Sequence, residues 1–403
     1  MKQHKHQFSK EFLSQFKDAK ELSGHFGQMF KDAVEQMLEG EMDAHLGFGK
    51  HERTEGGKAN YRNGHTGKTV KTDMGEVPLE VPRDRNGTFE PQAVAKRQTV
   101  MDDVSDAVIS LYGAGLTVRD IEAQVQRIYG VTLSDSTVSR ITDRLLALVH
   151  EWQNRALQPT YLVVWLDAIY FKVRQGHRVV PKAMYAAIGL DTEGRREVLG
   201  FWVAQSESAA FWVQVLDNLR QRGVADILLL ATDNLSGITK SVQATFPHTL
   251  HQLCVTHQVR NSLRYVARKD YAEFCRDLKA VYAVPTREEG ERGLAELGRK
   301  WGGKYAAVVQ SWRNNWEHLA VFFDYPTEIR RIFYTTNIIE NFNRMLRKYT
   351  KNRLIFPSDE AVTKAAFLAV QHTADVWAGK VANAKVILLQ FDAMFPDRLG
   401  VKI

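Results

Sequence analysis

The sequence has few of the features that mark secreted or membrane-bound proteins. Its 403 residues include only two cysteines, Cys254 and Cys275, which are too few for a disulfide framework and fit a reducing compartment. No apolar run approaches the roughly 18 residues that a membrane span needs. The polar N-terminus, MKQHKHQFSKEF, lacks the apolar centre of a signal peptide. We therefore expect a cytoplasmic protein without a membrane partner.

Acidic residues are outnumbered by basic ones. Lys and Arg total 54 against 47 Asp and Glu, giving a formal net charge of +7. Such a balance favours nucleic acid or another polyanion as partner. The chain is 44% hydrophobic and 10% aromatic, which is enough for a sizeable core, and its length corresponds to roughly two to three domains. These features predict a globular, multidomain chain.

The first hundred residues show a helical pattern followed by a β pattern. Within residues 1–50, apolar side chains recur at helical spacing from Phe26 to Met37, which predicts a helix with a packing or dimerisation face. Residues 51–98 contain two predicted short strands, Thr69–Thr72 and Val77–Val81, joined by a turn. Basic residues in this small β module favour phosphate contact, but acidic neighbours nearly balance them, so a solvated surface is the alternative.

Residues 99–155 have the pattern of a helix-turn-helix unit. One predicted helix is followed by a second that Thr117 caps, and a turn at Gly130 leads to a third that Ser134 caps. The polar outer face of the third helix is typical of a DNA reader. The alternative is a three-helix packing unit without a DNA role. The predicted DNA contacts on this face are Ser136, Ser139, Arg140 and Arg144.

The run YLVVWLDAIYFKV, from Tyr161 to Val173, reads as a strand buried on both faces. Asp167 lies at its centre. An ionised carboxylate in such a strand is costly unless something compensates it. Backbone N–H groups, an arginine or a metal ion can each do so, and this stretch alone leaves the choice open.

Three predicted antiparallel strands, a helix and then strand–helix pairs give the connectivity of a ribonuclease-H-like sheet. The strand DILLLA ends at Thr232, and Asp233 follows it. The first strand and this one are expected to be neighbours, which brings Asp167 and Asp233 to one edge. Because two adjacent carboxylates repel each other, a divalent cation is expected between them. All-oxygen coordination suits Mg²⁺ or Mn²⁺, and two such ions are the usual device for phosphodiester chemistry.

A third acid occurs on a strongly basic helix. In the segment from Phe333 to Lys348, Thr335 or Thr336 is expected to cap a helix on which Glu340 is the lone acid. Seven basic residues lie between positions 330 and 353 against this one acid. Glu340 is therefore either a salt-bridge partner or a third metal ligand. Basic side chains on this helix and on the helix that starts at Val255 are further predicted DNA contacts: Arg260, Arg264, Arg344, Arg347 and Lys348.

His248, His251, Cys254 and His257 recur at every third position. The spacing suggests zinc, but tetrahedral zinc sites rarely use it within one segment. A structural role near the predicted active site is the preferred interpretation.

The chain resembles the mutator-type bacterial insertion-sequence transposases over nearly its whole length. The motifs that carry the resemblance are MLEGEMDAHLG, YRNG…VPRDRNGTFEP, LDAIYFKVR, Thr232-Asp233, CVTHQVRN and TTNIIENFNR. The resemblance implies that Asp167, Asp233 and Glu340 are the catalytic, metal-binding carboxylates, and that Cys254 and His257 form a structural pair near them. One departure is visible, because Asn234 stands where glycine is common in the family.

The resemblance also implies the domain organisation and the activity. The ribonuclease-H-like domain would comprise residues 156–265 and 331–403, interrupted by an all-helical insertion at 266–330. The protein would be a homodimer in the bacterial nucleoid that binds terminal inverted repeats, cleaves the element ends and joins the 3′-hydroxyl to target DNA. The alternatives are a DNA-binding repressor with an inert catalytic domain and a metal-dependent nuclease without strand transfer.

Overall fold

A computed structural model describes residues 8–52, 60–205, 208–234, 237–333, 337–377 and 379–399. The chain forms two compact units, Met1–Asp143 and Arg144–Ile403. The finer division into six segments stays a prediction from the sequence.

The first unit begins with two helices and a β-hairpin. The helices are α1 (Lys10–Leu13) and α2 (Ala19–Leu46), and the antiparallel strands are β1 (Arg62–Thr72) and β2 (Gly75–Asp84). Both strands extend beyond the predicted four- and five-residue segments at 69–72 and 77–81. Val34 and Leu38 of α2 pack against Val70 and Leu79 of the hairpin. The face of α2 that covers the two-stranded sheet is therefore offset from the predicted stripe, because Met29 and Met37 of that stripe are exposed.

Three helices follow at the predicted positions: α3 (Asp102–Gly113), α4 (Val118–Tyr129) and α5 (Asp135–Asn154). Thr117 and Asp120 form a capping box that satisfies the first N–H groups of α4. Gly130 ends α4 with a φ of 69°, a left-handed conformation that favours glycine. The Ser134 hydroxyl accepts a hydrogen bond from the Thr137 N–H at 3.2 Å, which confirms its predicted capping role.

The second unit is built on a five-stranded mixed sheet. Its strands are β3 (Thr160–Gln175), β4 (Arg178–Asp191), β5 (Arg196–Ala204), β6 (Asp226–Thr232) and β7 (Leu250–Leu253). They lie in the order β5-β4-β3-β6-β7, with β4 antiparallel to β3 and β5, and β6 parallel to β3 and β7. This confirms the predicted mixed sheet, and the order is compatible with a ribonuclease-H-like fold.

Both faces of the central strand β3 are buried from Tyr161 to Asp167, as its apolar sequence predicts, whereas Tyr170 in the later part of the predicted buried run is exposed. Val164 and Leu166 belong to a core that includes Trp212 and Leu216 of α6 (Ala209–Gln221) and residues of α7 (Ile238–Thr245). The alternate residues, such as Trp165, belong to the larger core formed with the later helices. Helices therefore cover the sheet on both sides.

The rest of the unit is helical. The helices are α8 (Val255–Leu263), α9 (Tyr271–Tyr282), α10 (Arg287–Trp301), α11 (Ala306–Leu319), α12 (Thr327–Phe333), α13 (Asn337–Thr350), α14 (Asp359–Trp377) and α15 (Ala384–Met394). Trp301, Trp312 and Trp316 are buried in the core that these helices form with the sheet. Trp312 donates a hydrogen bond to the Ser262 hydroxyl at 2.8 Å. Across the described ranges, no helix combines the length and apolar character that a membrane crossing requires.

Candidate active site

Asp167 and Asp233 occupy equivalent positions on neighbouring parallel strands. The last aligned pair of β3 and β6 is Leu166 with Thr232, and each aspartate is the next residue along its strand direction. The structure therefore brings together the two acids that strand order predicted to be neighbours.

Asp167 is a buried carboxylate with partners from its own strand and from α13. Its side chain is 6% exposed. Oδ1 accepts a hydrogen bond from the Ala168 N–H at 2.8 Å, and Oδ2 accepts one from Asn343 Nδ2. Burial and the charge of Asp233 raise the pKa of Asp167 to about 6, although Ala168, His257 and Asn343 oppose the shift. The hydrogen bonds thus compensate only part of the cost of ionisation, and a cation here would favour the ionised form.

Asp233 lies in a close group with Cys254 and His257. Its Oδ1 is 2.6 Å from His257 Nδ1, and that nitrogen is 3.1 Å from Cys254 Sγ. Cys254 also caps α8, where its sulfur accepts from the His257 N–H at 3.3 Å. Burial lowers the pKa of His257, but hydrogen bonds to Asp233 and Cys254 outweigh it and raise that pKa to about 10. His257 is therefore an imidazolium that neutralises and orients the Asp233 carboxylate.

The three possible ligand atoms of this group lie within 4.8 Å of one another. A protonated His257 has no nitrogen lone pair for a metal ion, so its raised pKa favours the hydrogen-bonded arrangement over a shared metal site. The two other histidines of the repeated spacing do not join this group of described residues. His251 is buried between Thr232 and Thr239, whose hydroxyls lie 2.8 and 3.2 Å from its ring nitrogens. Burial, with a smaller contribution from His318, lowers the pKa of His251 to about 3, so its ring is neutral and links β7 to the end of β6.

Glu340 lies in the first turn of α13 and makes an ion pair with α8. Its Oε1 is 2.7 Å from Arg260 Nη1, although the two groups lack the alignment of a hydrogen bond. Arg260 is three residues after His257, so one face of α8 provides a cation to each of two predicted catalytic acids. The proposed caps of α13, Thr335 and Thr336, lie outside the described residues.

The predicted DNA-contact residues are on exposed helix faces. Ser136, Ser139, Arg140 and Arg144 are all exposed on α5. On α8 and α13, Arg264, Arg344, Arg347 and Lys348 are exposed as well, whereas Arg260 is engaged by Glu340. Within the described residues, these side chains are therefore accessible to a ligand. Their contact with DNA stays a prediction.

Asn343 was missed by reasoning from the sequence. It is 8% exposed on α13, three residues after Glu340, and its amide holds the Asp167 carboxylate. The signal that was available is its helical spacing from Glu340, which places both residues on one side of α13. Arg260 was predicted only as a DNA contact, because nothing in the local sequence indicates that α8 reaches α13.

The comparisons with known proteins define the class of this protein. The family model described as "Transposase, Mutator family" matches residues 1–379. The chain therefore belongs to the mutator family of transposases.

Individual relatives are named as transposases for insertion sequence elements. The chain is 39% identical over 396 residues to the transposase for insertion sequence element ISRM3 of Rhizobium meliloti (strain 1021), covering 96% of this chain and 98% of the relative. It is 30% identical over 358 residues to the transposase for IS905 of Lactococcus lactis subsp. lactis (strain IL1403), covering 89% and 91%. It is 27% identical over 347 residues to the transposase for IS256 in transposon Tn4001 of Staphylococcus aureus, covering 85% and 88%.

Proposed function

We propose that this protein is the transposase of an insertion sequence, which cleaves DNA at the element ends and joins the freed 3′-hydroxyl to target DNA. The observation that carries the proposal is the juxtaposition of Asp167, midway along β3, with Asp233, which directly follows the parallel strand β6. Glu340 lies on α13, the helix that contacts Asp167 through Asn343. The family membership supports the same activity.

The residues present fit a pair of Mg²⁺ or Mn²⁺ ions. Asp167, Asp233 and Glu340 offer hard oxygen ligands. Burial and the charge of Asp233 raise the pKa of Asp167, and a bound cation would offset this cost of ionisation. When bound, such ions activate a water or a 3′-hydroxyl and stabilise the charge of an in-line attack on a phosphodiester.

Other side chains of the site would hold the three acids in place. His257 fixes Asp233, Arg260 fixes Glu340, and Asn343 fixes Asp167. Each contact limits the rotamers of one carboxylate, so that its orientation is set before a substrate binds. Both His257 and Arg260 belong to α8, so this helix is the main element that organises the acids.

DNA recognition would use exposed faces of α5, α8 and α13. The exposed face of α5 would read the terminal inverted repeats as the second helix of a helix-turn-helix, with the small β module beside it in sequence. The basic residues of α8 and α13 would contact phosphates of the DNA being cleaved. We further propose a homodimer that bridges two element ends, in the nucleoid of a bacterial cytoplasm.

The test is an assay of strand cleavage and joining on DNA that carries the element end, with Mg²⁺. The substitution Asp167→Asn is expected to reduce both steps more than about 100-fold, since it removes a metal ligand. The control is Asp103→Asn, which changes an exposed aspartate of α3 and should leave both steps unchanged.

Three outcomes separate the candidate activities. Equal cleavage by Asp167→Asn and the wild type would eliminate these acids as the catalytic group. A wild type that binds the ends but never cuts would favour a DNA-binding repressor. Cleavage without joining of the 3′ end to target DNA would favour a nuclease.

A further inference from the structure

Among the described residues, nothing donates a hydrogen bond to one amide atom of Asn343, which lies beside Asp167 in the candidate site. Its Nδ2 donates to Asp167 Oδ2, whereas its Oδ1 is buried and accepts no hydrogen bond from any described residue. The whole residue is 8% exposed. A buried carbonyl oxygen without a donor is unfavourable, so it indicates that a ligand belongs there.

The orientation of the amide is fixed by chemistry. An ionised carboxylate is only an acceptor, so the amide must present its NH₂ group to Asp167. The reversed orientation would place two oxygens against each other at hydrogen-bond distance. Since Asn343 Nδ2 already donates to Asp167, Asn343 Oδ1 is the atom that remains for another partner.

The surroundings of this oxygen favour a cation over a hydrogen-bond donor. Glu340 precedes Asn343 by three residues, so both side chains leave α13 on the same side. Asp167, which the amide contacts, senses the charge of Asp233. Asp167 and Asp233 already repel each other, and a neutral amide adds an oxygen ligand without adding negative charge. Amide oxygens are hard ligands of the kind that Mg²⁺ and Mn²⁺ accept.

We propose that Asn343 is a fourth metal-binding residue of the site. Its Oδ1 is a neutral ligand of the cation that Asp167 binds, and its Nδ2 holds the Asp167 carboxylate in position. The inference rests on the proposed function, because it assumes that Asp167 binds a divalent metal.

The test measures Mn²⁺ binding to the full-length protein without DNA, by isothermal titration and by electron paramagnetic resonance of free Mn²⁺. Asn343→Ala is expected to weaken binding about 10- to 100-fold. Asn343→Asp restores an oxygen at the same place and is expected to bind at least as tightly as the wild type. The matched control is Asn341→Ala, an exposed asparagine of the same helix, which should leave affinity unchanged.

Two outcomes would overturn the proposal. Wild-type affinity in Asn343→Ala would show that the amide does not contribute. Equal losses in the Ala and Asp variants would show that only the N–H contact with Asp167 matters, so that Asn343 is a positioning residue and not a ligand.

Two further variants keep these outcomes interpretable. Thermal unfolding in EDTA checks that each variant folds, and Asn343→Leu, which roughly conserves volume, replaces Asn343→Ala if the latter does not. Asp167→Asn separates the two hypotheses. If Asp167→Asn binds Mn²⁺ as tightly as the wild type does, the proposed metal site is wrong. If Asp167→Asn loses Mn²⁺ affinity and Asn343→Ala does not, the metal site stands and only the role of Asn343 is contradicted.

Discussion

At the scale of single residues, Asp167 should lower the stability of the metal-free fold at neutral pH. Burial and Asp233 raise its pKa from 3.8 to about 6, so the folded state binds a proton that the unfolded state releases. The free energy of unfolding should therefore fall as pH rises from about 4 to about 6. A shift of roughly two pH units corresponds to at most about 3 kcal/mol.

Denaturant unfolding in EDTA checks this expectation. Asp167→Asn cannot ionise, so at pH 7.5 it should be more stable than the wild type by up to about 3 kcal/mol. Below pH 4 the advantage should disappear, because the wild-type carboxyl is then neutral in both states. A variant that is equally stable or less stable at pH 7.5 would mean that Asp167 is not the strained group inferred here.

The positions of the two aspartates could be predicted, but that of Asn343 could not. Asp167 and Asp233 follow from local patterns, because an apolar strand with one acid and a strand that ends in an acid must align when the strands are parallel neighbours. Asn343 contacts Asp167 across 176 positions of sequence. That contact depends on how α13 packs against β3, which helical periodicity does not determine. The partnership of Arg260 with Glu340 is hidden for the same reason.

At the scale of elements, α5 offers a direct test of the helix-turn-helix interpretation. Ser139 and Arg140 lie on its exposed face, and Val138 is fully buried on the other. Combined alanine substitution of Ser139 and Arg140 should weaken binding to the terminal repeat by about 10-fold or more while leaving thermal stability unchanged, since a good base contact contributes roughly 1–3 kcal/mol.

Two variants serve as controls for α5, both measured by electrophoretic mobility shift and thermal unfolding. Arg127→Ala removes an exposed charge from α4, which is not expected to enter the groove, and should reduce affinity only slightly. Val138→Ala should instead lower stability by about 1 kcal/mol or more, because it leaves a cavity. If Arg127→Ala weakens specific binding as much as the α5 variant does, α5 is not the reading helix.

Element boundaries were predictable where apolar periodicity is strong. The sequence predicts helices at 271–283, 287–301 and 305–323, separated by Pro285 and Gly302-Gly303, and α9, α10 and α11 lie within four residues of these bounds. The strands β1 and β2 are longer than predicted. Additional residues of β1, such as His65 and Thr66, are exposed and polar, so backbone pairing extends the hairpin where no apolar alternation marks it.

At the scale of the whole molecule, the surplus of seven positive charges has consequences only where the cations lack acidic partners. On α10, Lys300 lies 2.6 Å from carboxylate oxygens of both Glu273 and Asp277, so its charge is already neutralised. The solvent side of α13 differs, because Arg344, Arg347 and Lys348 are exposed on a helix whose one acid is committed to Arg260. The net charge therefore predicts the kind of partner. The surface that binds it is predicted by where the exposed cations have no ion pair with an acid.

This distribution predicts how salt acts on DNA binding. Each phosphate contact releases condensed counterions, so each cation lost should reduce the slope of log affinity against log salt by about one. Replacing Arg344, Arg347 and Lys348 together by glutamine should therefore reduce the slope by about three, whereas Lys300→Gln should leave it unchanged. Titrations by fluorescence anisotropy between about 50 and 200 mM salt measure both. Removing a cation that contacts a phosphate reduces the number of counterions released on binding. An unaltered slope in the triple variant would therefore mean that the DNA does not contact the solvent side of α13.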